Sequence, residues 1–160
     1  MSTSVQKLNI EEFMNRHLVE VFDTMLSMKA VPAAKFDPPH FTERVSGSVG
    51  FAGDNVNGAV YIHLSASFAS RITATMLGME PAETCGESDV NDVVGEVTNM
   101  LGGGLKSALC DAGAPCAVST PAIIRGTSFV IEAVPEVRQI YLLFLCEKEQ
   151  IFVEVHIKSD

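Results

Sequence analysis

Apolar residues recur at three- and four-residue intervals in three segments of the chain. This is the spacing of one face of an α-helix, so each segment is predicted to form a helix with a buried side. Asn9 is suited to cap the start of the first helix. Gly78 and Pro81 end the second, since neither residue continues a helix readily. The predicted helices run from about Ile10 to Met28, from a cap at Ser65 or Ser67 through Met76, and from about Asp89 to Cys110.

Two other segments, Val45 to Phe51 and Ala59 to Leu64, alternate apolar residues with others at a period of two, which is the pattern of a β-strand, and the C-terminal part of the chain is also predicted to be β. A loop over residues 53–58 is predicted between the first two strands, and a turn over residues 148–150 between the last two. A proline-containing loop over residues 30–39 separates the first helix from the sheet. The predicted strands are Val45 to Phe51, Ala59 to Leu64, Ala122 to Ala133, Arg138 to Glu147 and Ile151 to Lys158.

The order of these elements indicates the fold class. Strand pairs joined by short turns follow or precede long helices, so the sequence predicts an α+β fold with an antiparallel sheet and about three helices. No internal repeat or low-complexity segment divides the 160 residues, and 47% of them are hydrophobic. We therefore expect a single domain over residues 1–160.

The formal net charge of −9 argues against binding to nucleic acid or to an anionic membrane surface, because both attract Lys and Arg. The charge fits a partner that presents cations, and it equally fits a surface that only keeps the protein in solution. The longest uninterrupted apolar stretch, Ile140 to Cys146, is too short for membrane insertion. Because the N-terminus lacks the apolar segment of a signal peptide, a cytoplasmic location is expected.

The four cysteines and four histidines are scattered, with neither a CxxC pair nor an HExxH motif among them. We interpret the cysteines as reduced, mostly buried thiols and expect no metal site and no cofactor in this chain. An enzyme acting on a small molecule would need a pocket with a base or a nucleophile. His63 and Cys110 are dispersed candidates for such a role, and no local pattern connects them.

The third predicted helix has an apolar side and a narrow polar stripe opposite it. The apolar side consists of Val90, Val93, Val94, Val97, Leu101, Leu105 and Ala108. The stripe has members three or four residues apart: Asp92, Glu96, Asn99, Gly103 and Lys106. A solvated helix face is the simplest interpretation. The same spacing also places a carboxylate and a carboxamide side by side, pointing away from the core.

Two features of this helix lower its intrinsic stability. Asn99 costs roughly a few tenths of a kcal/mol relative to a good helix former, and each of the glycines 102–104 costs about 0.8–1 kcal/mol relative to alanine. Glycines inside a helix usually indicate that a neighbour approaches its backbone closely. That neighbour is either another helix of the same domain or a docking partner.

The stripe resembles the signature of the CheC/CheX/FliY family of chemotaxis response-regulator phosphatases. In that signature an Asp or Ser precedes a Glu-x-x-Asn pair, and a proline follows downstream. Here Asp92 precedes Glu96 and Asn99. Positions 100–120, which are 21 residues, separate Asn99 from Pro121. The order of elements extends the resemblance over nearly the whole chain. It implies a CheC-like fold whose signature helix exposes Glu and Asn, and one site per chain resembles CheX more than CheC.

The resemblance implies a phosphatase that hydrolyses the aspartyl phosphate of a CheY-like response regulator. In the implied mechanism, Asn99 holds the attacking water through one donor and one acceptor, and Glu96 pairs with a lysine of the regulator. Asp92 supports these side chains or the docking. Mg²⁺ and the lysine belong to the regulator, so the chain itself needs no metal.

Other implications concern docking and assembly. Gly102 and Gly103 would let the regulator approach the helix, and Pro121 is expected to shape the entry to the following strand rather than to touch the substrate. A homodimer formed through the sheets is implied, and the alternating residues 151–157 look like an exposed strand edge. A non-catalytic module that binds a response regulator or a flagellar motor component remains the alternative.

A second Glu-x-x-Asn pair, Glu12 and Asn15, lies in the first helix. Leu8 stands where the signature has Asp or Ser, and Arg16 and His17 replace the small residues that follow the asparagine. We interpret this pair as a coincidence on a solvated face.

Overall fold

A computed structural model describes residues 3–33, 39–80 and 85–159 of the chain, with side chains from residue 5 onward. The last three of its helices are those that the sequence predicts. The first has five residues, too few to show a helical period in the sequence. None of the described helices combines the length and the apolar character needed to cross a membrane. The described helices are α1 (Thr3–Lys7), α2 (Ile10–Leu26), α3 (Ala66–Leu77) and α4 (Glu87–Asp111).

Seven strands of the described residues form one open sheet in which every pairing is antiparallel. The strands are β1 (Val31–Pro32), β2 (Arg44–Ala52), β3 (Val56–Ser65), β4 (Ala117–Val118), β5 (Ala122–Gly126), β6 (Arg138–Cys146) and β7 (Glu149–Ser159). Their order is β1-β6-β7-β3-β2-β4, and β5 also pairs with β2. The predicted α+β fold with an antiparallel sheet is confirmed, with four helices where about three were expected.

The two faces of the sheet differ in their side chains. The inner face carries the apolar residues of the core and packs against α2, α3 and α4; it includes Val49, Val60, Ile62, Leu142, Val153 and Val155. The outer face carries the alternate positions and is more polar; it includes Arg44, Ser46, Tyr61, His63, Tyr141, Glu154 and His156. The separation follows from the two-residue period of a strand.

The predicted helix caps are confirmed. The side chain of Asn9 accepts a hydrogen bond from the Glu12 N–H at 3.0 Å, and that of Ser65 accepts one from the Phe68 N–H at 3.1 Å. Helix α2 ends two residues before the predicted Met28, because Ser27 takes a left-handed conformation with φ 51°. Its N–H then donates to the carbonyl of Asp23, which closes the helix.

The fifth strand is shorter than the sequence predicts. The sequence predicted a strand to Ala133, but β5 ends at Gly126, which pairs with Arg44. Arg44 is the first residue of β2, so beyond this pair no neighbouring strand remains to accept the backbone hydrogen bonds. The two-residue strands β1 and β4 were not predicted, because two residues show no alternation.

Two expectations about the last strand are wrong. The turn before it consists of Glu147 and Lys148, both with positive φ (50° and 73°), as a two-residue hairpin of type I′ requires, rather than residues 148–150. Strand β7 is also not an exposed edge, because β6 and β3 pair with it on its two sides. Pro81 and residues 34–38 of the predicted loop lie outside the described residues.

Candidate functional site

Helix α4 lies on the inner face with its apolar side against β2. A Cβ at Gly47 of β2 would be 1.9 Å from the Oγ1 of Thr98, so a glycine is needed for this close approach. The buried Thr98 hydroxyl donates to the Val94 carbonyl at 2.6 Å. Apart from the half-buried Ala108, the residues predicted to face the core are buried: Val90, Val93, Val94, Val97, Leu101 and Leu105.

The opposite side of α4 presents the predicted polar stripe. Asp92, Glu96 and Asn99 are all exposed, at successive helical turns. Within the described part of the chain, none of these three side chains makes a hydrogen bond or an ion pair. Met100, which is 36% exposed, lies beside them. The stripe is therefore a row of acceptors, with one carboxamide donor, that the fold leaves available to an external group.

The three glycines after Asn99 have different surroundings. A Cβ at Gly102 would lie 2.4 Å from Cγ1 of Val49, so the buried Gly102 is explained by packing of α4 on the sheet. A Cβ at Gly104 would lie 2.0 Å from Nε2 of His17. A Cβ at Gly103 would meet no atom of the described residues within 4 Å. The sequence predicted the same role for Gly102 and Gly103, but packing among the described residues accounts for Gly102 and not for Gly103.

His17 is a contact residue that the sequence analysis did not identify. Its Nε2 donates to the carbonyl of Met100 at 2.9 Å, and its ring stacks on Phe13 with the centroids 5.4 Å apart. A carbonyl only accepts hydrogen bonds, so Nε2 carries the proton. The bond joins α2 to α4 one residue after Asn99, and the glycine at position 104 is the sequence signal that indicates such an approach.

Pro121 lies beside the signature helix, immediately before β5. A Cβ at Gly95 would be 3.7 Å from Cγ of Pro121, which places the proline next to the turn that carries Glu96. Near the start of α4, Arg125 of β5 donates to the side chain of Asn91 at 2.5 Å. The chain around β5 therefore contacts one side of α4, while His17 contacts the other.

The second Glu-x-x-Asn pair has a local structural role. Glu12 donates its backbone N–H to Asn9 and accepts from the Asn9 side chain at 3.4 Å, so it belongs to the cap of α2. Asn15 is half-buried rather than exposed. The surroundings of this pair differ from those of Glu96 and Asn99, and the solvated face that the sequence predicted holds for Glu12 but not for Asn15.

His63 and Cys110 do not share a site. His63 is fully buried on the outer face, where its Nδ1 lies 2.6 Å from the Ser46 hydroxyl and its Nε2 donates to Glu154 at 2.6 Å. Ser46 is also fully buried, so this serine–histidine–glutamate chain offers no nucleophile to a substrate. Cys110 lies at the end of α4, on the other side of the sheet.

The described residues include no group of three or more His, Cys, Asp and Glu side chains that is placed to hold a metal ion. The four cysteines are free. Burial raises the pKa of both Cys116 and Cys146, which disfavours the reactive thiolate. The carboxylates and the carboxamide of the α4 stripe can position a water molecule or bind a cation.

The family model described as chemotaxis phosphatase CheX matches residues 45–145, more than half of the chain. The matched segment contains β3, α3, α4, β4 and β5, together with all but one residue of β2 and of β6. It includes the whole stripe and Pro121. A search of curated proteins finds no match.

Solved structures of chemotaxis proteins have the same fold. The CheX protein of Vibrio vulnificus is 28% identical, with a TM-score of 0.79 over 94% of this chain and 97% of that one. CheX of Desulfovibrio desulfuricans is 25% identical, with a TM-score of 0.78 over 94% and 100%. A CheX–CheY–BeF₃–Mg²⁺ complex from Borrelia burgdorferi matches at 20% identity and a TM-score of 0.73, over 92% and 97%. At 20% identity, the similarity to the Borrelia burgdorferi protein shows only that the two folds are alike.

Proposed function

Because the chain belongs to the CheX family of chemotaxis phosphatases, we propose that it hydrolyses the aspartyl phosphate of a CheY-like response regulator. The observation that carries this proposal is the α4 stripe, in which Glu96 and Asn99 are exposed and make no hydrogen bond or ion pair within the described chain. A side chain that stabilised the domain would be engaged with a neighbour. These two are free to engage a partner.

Asn99 is the proposed catalytic residue. A carboxamide offers one acceptor and two donors, so it can hold a water molecule in line with the phosphorus without being charged. Phosphoryl transfer depends mainly on positioning and electrostatic stabilisation, and the regulator's aspartyl phosphate is already reactive. A neutral side chain without a strong base is therefore sufficient on this helix.

Glu96 and Gly103 are proposed to dock the regulator. Glu96 would pair with a lysine of the regulator's active site, which fixes the register between the two proteins. Gly103 lies about one turn beyond Asn99 and has open space where its side chain would be, so the partner's surface can approach the backbone there. Asp92 adds negative charge one turn before Glu96 and supports the docking of a cationic surface.

The remaining chemistry is assigned to the partner. The Borrelia burgdorferi protein was crystallised with CheY, BeF₃ and Mg²⁺. For this chain we assign the metal to the regulator, as the family resemblance implies. The regulator's Mg²⁺ would neutralise charge on the phosphoryl oxygens. No metal or cofactor of this chain's own is required. A partner of this class also fits the cytoplasmic location expected from the sequence.

A homodimer belongs to the same proposal, with a different surface from the one the sequence suggested. Because β7 is central, pairing between copies would use β1 or the β4 and β5 side of the sheet. On the outer face next to β1, Val31 and Leu145 are paired and are 47% and 45% exposed. Light scattering at micromolar concentration tests the dimer, and a monomeric mass would contradict it.

The direct test of the function is phosphate release. CheY-like regulators are charged with a small phosphodonor in Mg²⁺, and their dephosphorylation is followed with and without the protein. We expect faster release with at least one regulator. Binding without faster release would favour the non-catalytic module instead.

A further inference from the structure

The outer face of the sheet holds a cavity of about 730 Å³, on the opposite side of the sheet from α4. Its size is in the range of sites for small molecules. Four aromatic residues and two aliphatic residues form its apolar walls: Phe41, Phe129, Tyr141, Phe152, Val130 and Ile131. Arg44 and Glu154 are the oppositely charged residues in the lining. The lining therefore combines flat apolar surfaces with a small number of polar groups.

The carboxylate of Glu154 is hydrogen-bonded to the protein through both oxygens. Its Oε2 accepts a hydrogen bond from Nε2 of His63 at 2.6 Å, and its Oε1 accepts one from Nε2 of His156 at 3.3 Å. Glu154 is only 5% exposed. Each oxygen therefore has one donor in the protein, and none of the ion pairs among the described residues joins Glu154 to Arg44.

Arg44 is held in place but lacks a carboxylate of its own. Its guanidinium carbon lies 3.6 Å from the ring centroid of Phe129, and one terminal nitrogen donates to the Phe129 carbonyl. Among the described residues, no carboxylate is within ion-pair distance of it. Partial burial lowers the pKa of Arg44, and the charge of Glu154 acts in the opposite direction. A fixed, partly desolvated guanidinium with unused N–H groups suits a carboxylate or phosphate oxygen.

We propose that this cavity binds a small aromatic compound carrying one anionic group, with the ring between the aromatic walls and the anion on Arg44. Tyr141 is 41% exposed and offers its ring to a planar ligand, while the buried Phe152 ring stacks on Tyr141 at 5.8 Å, with an angle of 12° between their planes, and holds it in place. The compound would bind independently of the response regulator, which the α4 stripe is proposed to dock on the other face.

The test uses 2-naphthoate and its neutral analogue 2-naphthamide as probes, titrated calorimetrically into the full-length protein. Naphthoate is expected to bind at one site per chain with a Kd below about 1 mM, and the amide at least about tenfold more weakly, as for the loss of one charge-assisted hydrogen bond. Failure of naphthoate to bind, or equal affinity for the two probes, would overturn the proposal.

Three variants locate the site. Arg44→Gln should weaken naphthoate binding at least about tenfold and remove its advantage over the amide. Arg16→Gln is the matched control, because Arg16 also lies over a phenylalanine ring, Phe13, at 5.8 Å, but on α2. It should bind like the wild type. Ser128→Trp adds a large side chain to the lining of the cavity while leaving Arg44 in the sequence, and it should also abolish binding. If Arg44→Gln does not fold, the affinity of Ser128→Trp for naphthoate provides the test. Unchanged affinity for naphthoate in either folded variant would overturn the assignment of the site.

Discussion

Nε2 of His17 on α2 donates a hydrogen bond to the backbone carbonyl of Met100 on α4, at 2.9 Å. Met100 directly follows Asn99, so the contact fixes the neighbouring helix beside the proposed catalytic side chain. The approach depends on position 104, where a Cβ would lie 2.0 Å from the same nitrogen. The glycine that weakens the helix locally therefore permits a tertiary hydrogen bond.

This relationship predicts a strong coupling between Gly104 and His17. Gly104→Ala should destabilise the protein by about 1–3 kcal/mol, because the methyl group displaces the ring and breaks its hydrogen bond. In a His17→Ala background the same change should be neutral or should stabilise by up to about 1 kcal/mol, since alanine is the better helix former. Urea unfolding of the wild type, the two single variants and the double variant gives the four free energies of this double-mutant cycle. If the effects of the two substitutions on the free energy of unfolding simply add, the predicted coupling is absent.

Replacement by alanine should change the stability of the protein in opposite directions at Gly102 and Gly103. Gly103→Ala should stabilise the fold by about 0.5–1 kcal/mol, because its Cβ enters open space and the helix propensity improves. Gly102→Ala should destabilise by about 1–3 kcal/mol, since its Cβ would lie 2.4 Å from Val49. Thermal unfolding distinguishes the two, and equal shifts would show that their surroundings do not differ as described.

Gly103→Ala also tests the docking surface, because a gain in stability should accompany a loss of binding. If a regulator approaches the backbone at Gly103, the added methyl should weaken association at least about fivefold, about 1 kcal/mol. Association is measured with a regulator carrying a beryllofluoride-modified aspartate. Unchanged affinity in this more stable variant would remove Gly103 from the interface.

The sequence predicts the features of this fold that depend on near neighbours in the chain. Asn9 and Ser65 cap helices through hydrogen bonds to residues three positions away, and both caps are present. The exposed stripe of α4 follows from helical periodicity alone. These predictions needed no knowledge of how the elements pack.

Features that depend on residues far apart in the chain could not be predicted from the sequence pattern. The need for glycine at position 102 is set by Val49, and at position 104 by His17, both far away in sequence. The hydrogen-bonded chain of Ser46, His63 and Glu154 joins three strands and depends on their register. Likewise, alternation indicated that β7 is a strand but not that it occupies the middle of the sheet.

Glu96→Ala is expected to weaken association with the regulator, whereas Glu12→Ala is not. If Glu96 pairs with an interfacial lysine, its loss should cost roughly 2–5 kcal/mol of binding free energy, much of it from leaving the lysine unpaired. Glu12 is the matched control, because it begins the other Glu-x-x-Asn pair. It contributes an exposed contact to the α2 cap, and its loss should cost about 0.5 kcal/mol of stability and no affinity. Equal losses of affinity would mean that the docking residue lies elsewhere.

The decisive variant for the mechanism is Asn99→Ala. Asn99 is exposed and alanine is the better helix former, so the variant should be as stable as the wild type or slightly more stable. Binding of the regulator should remain, because Glu96 and Gly103 are unchanged. The rate of phosphate release should fall about 10²-fold or more, the scale associated with losing alignment at a reacting centre.

Two companion variants separate water positioning from a general effect of the substitution. Asn99→Asp keeps the size of the side chain but places a negative charge near the phosphoryl oxygens, so it should also lose activity. Asn15→Ala removes the asparagine of the other pair and should retain the wild-type rate. Dephosphorylation of a regulator charged with a small phosphodonor in Mg²⁺ measures all three, with circular dichroism as the folding check. A folded Asn99→Ala protein that releases phosphate at the wild-type rate would exclude the proposed role of Asn99, since no other exposed carboxamide lies on the α4 stripe.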